Sequence, residues 1–137
     1  MKTNLLLIAL LALAMPLRAD DEKKHPIDQA MDAAMERDSS TAGMVNAVSK
    51  ANKDWDKEMN ALYQDLKKTM KPEEWTALVT AQKAWIVYRD AQTKSIVETY
   101  GHMEGTMYIP MSASEVMEIT KDRALFLKSL KEMISER

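Results

Sequence analysis

Between Thr41 and Met70 one pattern dominates the chain. Met44, Val48, Ala51, Trp55, Met59, Leu62, Leu66 and Met70 recur at spacings of three and four. A half-buried strand alternates with period two, whereas this stripe has the period of an α-helix. A helix striped in this way needs other elements to cover its apolar face. The rest of the chain offers only helices. Alanine, methionine, lysine and glutamate dominate, valine and isoleucine are sparse, and no alternating apolar run occurs.

Three further helices can be placed around the first. One runs from Pro26 to Arg37, with proline in its first turn and Ile27, Met31, Ala34 and Met35 as a narrow stripe. Asp38, Ser39 and Ser40 end it. Another starts at Pro72, where Glu73 and Glu74 favour the positive end of the helix dipole. It runs to about Tyr100, carries Trp75, Leu78, Val79, Trp85, Ile86, Ile96 and Val97 inward, and stops at Gly101. Residues 101–112, GHMEGTMYIPMS, hold two glycines and a proline and read as the one substantial loop. Ser112 and Glu115 have the S-x-x-E spacing of a capping box. They predict a last helix from there to about Ser135, with Val116, Ile119, Leu127, Leu130 and Ile134 on one face. The expected fold is all-α: a compact antiparallel bundle of three long helices and one short N-terminal helix.

The first residues, MKTNLLLIALLALAMPLRADD, have the order of a secretory leader. Lys2 is the positive region, residues 5–14 are the apolar stretch, and Ala19 offers a small residue for cleavage before Asp20. The apolar stretch is too short to span a bilayer. Residues 1–19 are therefore expected to be a signal peptide and residues 20–137 a single exported domain, periplasmic or secreted. No cysteine follows the leader, so no lipoprotein anchor is expected. Removing Lys2 and Arg18 from the 19 basic residues leaves 17 against 21 acidic ones, a net charge of −4. That balance argues against nucleic acid and would favour a basic protein partner, although a charge this small more often serves solubility alone. The absence of cysteine excludes thiol redox chemistry, cysteine nucleophiles and cysteine-ligated metals.

Some polar residues sit where apolar ones belong. At roughly 100° per residue, Arg89 falls about 20° from Gln82, among Leu78, Ile86 and Ile96, with Trp85 beside them. Thr120 and Arg123 lie within about 40° of Val116 on the last helix by the same measure. Asn52 falls inside the stripe of the 41–70 helix and Asp56 at its edge. An arginine on a buried face must find hydrogen-bond partners or a counter-charge. Asp56, Asp90, Asn52 and Gln82 are the candidates. Two readings follow: a polar pocket that grips an anion, or a network that holds helix register.

No catalytic constellation stands out. His25 and His102 are the only histidines, and HExxH, G-x-S-x-G and phosphate-cradling glycine loops are absent. No catalytic residue, cofactor or metal is assigned. Ten of the 12 methionines follow residue 19, and His102, Met103, Met107 and Met111 cluster in the loop. Thioethers with an imidazole suit Cu(I), but methionine is also a flexible core filler, and several sit on core stripes.

The segment AQKAWIVYRD (81–90) resembles the AQ-x-x-W-x-x-x-RD signature of the LprI-type lysozyme-inhibitor domain. Residues 25–66 resemble the first half of that family, and ITKDRALFLKSL (119–130) resembles its closing LT-x-x-R-x-x-x-L element. The resemblance implies a small exported helical protein that binds and inhibits lysozyme, with no catalytic residue. Its signature positions here are Gln82, Trp85, Arg89, Asp90, Thr120 and Arg123. Family members commonly carry cysteines where this chain has Ala34, Ala47, Thr93 and Glu115, so packing must do what disulfides do elsewhere. The inhibitor reading needs a protruding element to enter a concave cleft with two carboxylates. The 101–112 loop is the candidate, through His102, Glu104, Thr106 and Tyr108; the alternative is that it only joins two helices. Other partner readings are an immunity protein against a rival's toxin, an envelope protein with a different protein target, or a methionine-rich copper binder.

Overall fold

The computed structural model describes residues 24–137, and the expected signal peptide lies outside the described residues. The described residues form four helices: α1 (Pro26–Arg37), α2 (Thr41–Thr69), α3 (Pro72–Gly101) and α4 (Tyr108–Ser135). The fold is the expected all-α bundle, with one short and three long helices.

Local chemistry sets most of the ends. The His25 ring nitrogen Nδ1 accepts the Ile27 N–H at 3.3 Å, and Pro26 occupies the first turn of α1. At the α1–α2 corner Asp38 accepts the backbone and side-chain donors of Ser40, whose Oγ accepts the Gly43 N–H at 3.0 Å. Gly43 has no room for a side chain: a Cβ there would lie 2.2 Å from Asp38 Cγ and 2.4 Å from Asp38 O. Between α2 and α3, Glu74 accepts the Lys71 N–H at 3.1 Å.

Each helix runs antiparallel to the next, so α2 and α4 run parallel and form the principal pair. Lys131 meets Asp65 at 2.7 Å near one end of that pair, and Val116 and Asn52 line one cleft near the other. The core lies between them: Val48, Ala51, Trp55, Met59, Leu62 and Leu66 of α2 against Met117, Ala124 and Leu127 of α4, with Leu78 of α3. Helix α1 lays Ile27, Met31 and Met35 on this core from one flank, and α3 packs along α4 on another. Trp55, Leu66 and Leu127 are almost wholly buried. Each is a side chain whose full burial is worth about 1.5–3 kcal/mol or more.

Three expectations need correction. The last helix starts at Tyr108, not after Ser112, and no capping box forms there. Pro110 does not delay it, because a proline in the first turn lacks only an N–H that has no helical partner anyway. The connecting loop therefore shrinks to residues 102–107, with Gly105 at a φ of 114° making the turn. On α3, Ile86 and Val97 are exposed rather than inward. That helix meets α2 mainly near their shared corner, where Tyr63 and Trp75 lie 4.7 Å apart, so it buries fully only Leu78 and Gln82. On α4 the most buried line is Met117, Thr120, Ala124 and Leu127. This is turned by roughly 70° from the expected stripe at 100° per residue. The cause is that α4 faces α2 and α3 at once, leaving Val116, Ile119, Leu130 and Ile134 half-buried at the edges.

Candidate functional site

The α3 and α4 polar residues converge. Gln82 is buried, and its Oε1 accepts from Arg123 Nε at 2.9 Å. Its Nε2 lies 3.8 Å from the Met59 sulfur. The Arg123 guanidinium sits 5.9 Å from the Trp85 ring centre and 5.1 Å from that of Phe126, within cation–π range. Its Nη2 is buried without a hydrogen-bond partner. Burial disfavours the charged form of Arg123 and lowers its pKa from the usual arginine value. Thr120 is buried one turn before it.

Arg89 behaves differently. Its guanidinium lies 5.4 Å from the same Trp85 ring, and both Nε and Nη2 donate to Asp90, at 2.9 and 2.8 Å. Its side chain is 33% exposed and that of Asp90 64%. Asp56 is not its ion-pair partner; it accepts instead from Asn60. Arg89, Asp90 and Thr93 of α3 and Asn52, Lys53 and Asp56 of α2 line an open cleft of about 510 Å³, with Val116 and Thr120 of α4. The Arg89 guanidinium thus sits between the Trp85 ring and the Asp90 carboxylate while staying partly open to water.

The loop residues are spread over one end of the molecule. His102, Glu104 and Thr106 are exposed, and the His102 ring nitrogen Nδ1 lies 2.7 Å from the Glu98 carbonyl. Tyr108 is half-buried in the first turn of α4, its ring 6.3 Å from that of Tyr100. Around them Val97, Met103, Met107, Ile109 and Met111 are each 43% to 58% exposed. These three methionines do not fill the core; Met59 and Met117 do. Val97, Tyr100, Met103, Tyr108 and Ile109 line a shallow cleft of about 490 Å³ at this tip. No group of three or more His, Asp or Glu that could hold a metal occurs among the described residues.

One buried polar cluster escaped the sequence reading. Asp28 of α1 is only 5% exposed. It pairs with Lys121 of α4 at 2.9 Å and accepts from Trp55 Nε1 at 3.3 Å, while His25 lies against the Trp55 ring at 4.3 Å. Burial alone would lower the Lys121 pKa, but Asp28 and Glu118 outweigh it and hold the ammonium above its usual value. The signal was present: Asp28 lies three and seven residues before Met31 and Met35, and Lys121 lies between Met117 and Ala124 at helical spacing.

A small helical protein with a partly buried arginine–glutamine clamp and an exposed apolar tip is thus defined. The family described as lysozyme inhibitor LprI matches residues 31–127, and the chain belongs to that family. The signature residues on α3 and α4 all fall within the matched span. Among solved structures, an uncharacterised protein from Burkholderia thailandensis is similar, with a TM-score of 0.76 and 30% identity over 82% of this chain. This chain spans 56% of the length of that one. No curated protein matches it. No helix among the described residues is long and apolar enough to cross a membrane.

Proposed function

We propose that the protein is exported, has no enzymatic activity, and inhibits a lysozyme or a related peptidoglycan-degrading enzyme through the α3–α4 tip. The observation that carries this reading is the cluster of exposed apolar side chains at that tip. A small protein seldom leaves such a patch uncovered unless it binds something. The patch lies at the end of two long helices, a shape suited to entering a concave cleft. His102 and Thr106 add exposed hydrogen-bonding groups that suit the carboxylates of a glycosidase cleft. Membership of an inhibitor family supports the same reading, and the leader-like first residues support export.

The test is a titration of the mature protein against lysozymes of several classes in a cell-wall lysis assay. The double variant Met103→Gln/Ile109→Gln should lose inhibition while keeping its helicity and melting midpoint. Undiminished inhibition by that variant would remove the tip from the interface. Failure of the wild type to inhibit any lysozyme would overturn the functional reading as a whole.

A further inference from the structure

We infer that the groove between α3 and α4, adjoining the tip, is a docking site for lysine and arginine side chains of a basic protein partner. The groove has a volume of about 460 Å³. Trp85, Tyr88 and Ile96 line it from α3, and Phe126 closes it from α4. Tyr88 and Phe126 are about half exposed; Arg123 already lies 5.1 Å from the Phe126 ring centre, so Tyr88 is the ring most open to a partner. Glu115, Glu118 and Asp122 stand along the α4 side of the same groove.

The charge here is unbalanced for a structural reason. Arg123 is the one cation among the described residues of the groove's lining, but Gln82 accepts from its Nε and the Trp85 and Phe126 rings flank its guanidinium. Lys121 reaches Glu118 only at 3.5 Å and is committed to Asp28 at 2.9 Å. Among the described residues, Glu115 and Asp122 have no ion pair, and neither accepts a side-chain hydrogen bond. Two free carboxylates beside exposed aromatic rings match the chemistry of a lysine or arginine. The aliphatic stem lies on the ring, and the charged head meets the carboxylate. The groove adjoins the tip along α4, where Ser112 of the tip cleft lies one turn before Glu115 of the groove, on the same helix face. A partner that takes the tip into its own cleft would lay its rim along this groove. Opposite charge at such a rim acts mainly on the association rate.

That the partner is a lysozyme-type enzyme rests on the function proposed above; the preference for a cationic segment does not. Two probes separate them. The first is a short Lys/Arg peptide titrated into isotopically labelled mature protein, with an acidic peptide of equal length as control. The cationic peptide should shift the amide signals of Tyr88, Gln92, Asp122 and Phe126, and the acidic one should not. Glu115→Gln/Asp122→Asn, at two exposed positions, should weaken that binding at least several-fold without changing the fold. Shifts centred elsewhere, or unchanged affinity in the variant, overturn the proposal. The second probe is a basic lysozyme, followed by association kinetics. The same variant should slow association about tenfold at low salt, with little change in dissociation. An unchanged association rate also overturns the groove. If the wild type binds the cationic peptide in the groove but no lysozyme, the groove stands and the inhibitor reading falls.

Discussion

Replacing Gln82 by leucine probes the clamp at the centre of the bundle. The change removes the acceptor that lies 2.9 Å from Arg123 Nε, in a place where Nη2 already has no partner. A hydrogen bond to a charged group is worth about 1.5–3 kcal/mol, and stranding a buried donor costs a similar amount. Arg123 is only partly buried, so water can reach some of the guanidinium, and the expected loss is about 2 kcal/mol, near the low end of that range. That is a sizeable share of the roughly 5–15 kcal/mol typical of a whole domain. Arg123→Met alone strands the Gln82 carbonyl and gives up the contacts with Trp85 and Phe126, costing about 1–2 kcal/mol. The double variant leaves neither partner stranded. Its loss should therefore fall short of the sum of the singles by about 1–2 kcal/mol. Urea denaturation followed by far-ultraviolet circular dichroism gives the four stabilities, and an unchanged slope confirms that the states compared are the same. Additive losses within about 0.5 kcal/mol would refute the coupling and with it the clamp.

Other sites give independent tests. Gly43→Ala should destabilise the α1–α2 corner by roughly 1–3 kcal/mol, seen as a lower melting temperature, because its Cβ meets Asp38 backbone as well as side chain. Lys121→Met leaves the Asp28 carboxylate buried with Trp55 Nε1 as its remaining donor, at a cost of about 3 kcal/mol. Asp28→Asn in that background should recover much of the loss in a melt at neutral pH. Asp65 is held below the usual carboxylate range first by its hydrogen bond to Lys131, and Glu74 by its bond to Arg137. Both pKa values are depressed in the folded state, so their contribution is fully present above the ordinary carboxylate range and is lost as pH falls from there through the lower folded values. Lys131→Met should flatten the acid limb of a stability–pH curve and leave the slope above pH 6 unchanged.

The helices were legible where a stripe is buried along its whole length. In α2 the expected Val48, Ala51, Trp55, Met59, Leu62 and Leu66 are all buried, because α1 and α4 cover that helix. Gln82 was legible as a polar residue in an apolar stripe, and its bond to Arg123 explains its place there. Arg89 lies on the same stripe two turns further along, and periodicity cannot tell a buried arginine from one that stays partly exposed beside Trp85. Ile86 and Val97 were misplaced because α3 has a partner on only part of its circumference, which its own sequence does not reveal. The start of α4 was missed because Gly105 and Pro110 read alike as loop residues. Only the glycine makes the turn, and the proline fits the first helical turn. Tyr108 thereby moves from loop to helix, and the protruding element becomes a helical tip with a short connector. The Asp28–Lys121 pair joins helices far apart in sequence, and only their packing places the two side chains together.

A lysis assay with three proteins separates the tip from the signature. The mature wild-type protein, Met103→Gln/Ile109→Gln and Gln82→Leu would each be titrated against one inhibited lysozyme, at a temperature where all three are folded. The tip variant should lose more than tenfold in inhibitory potency, and Gln82→Leu should keep wild-type potency despite its lower stability. Full potency in the tip variant, with inhibition lost in folded Gln82→Leu, would place the inhibitory surface at the polar signature and contradict the account.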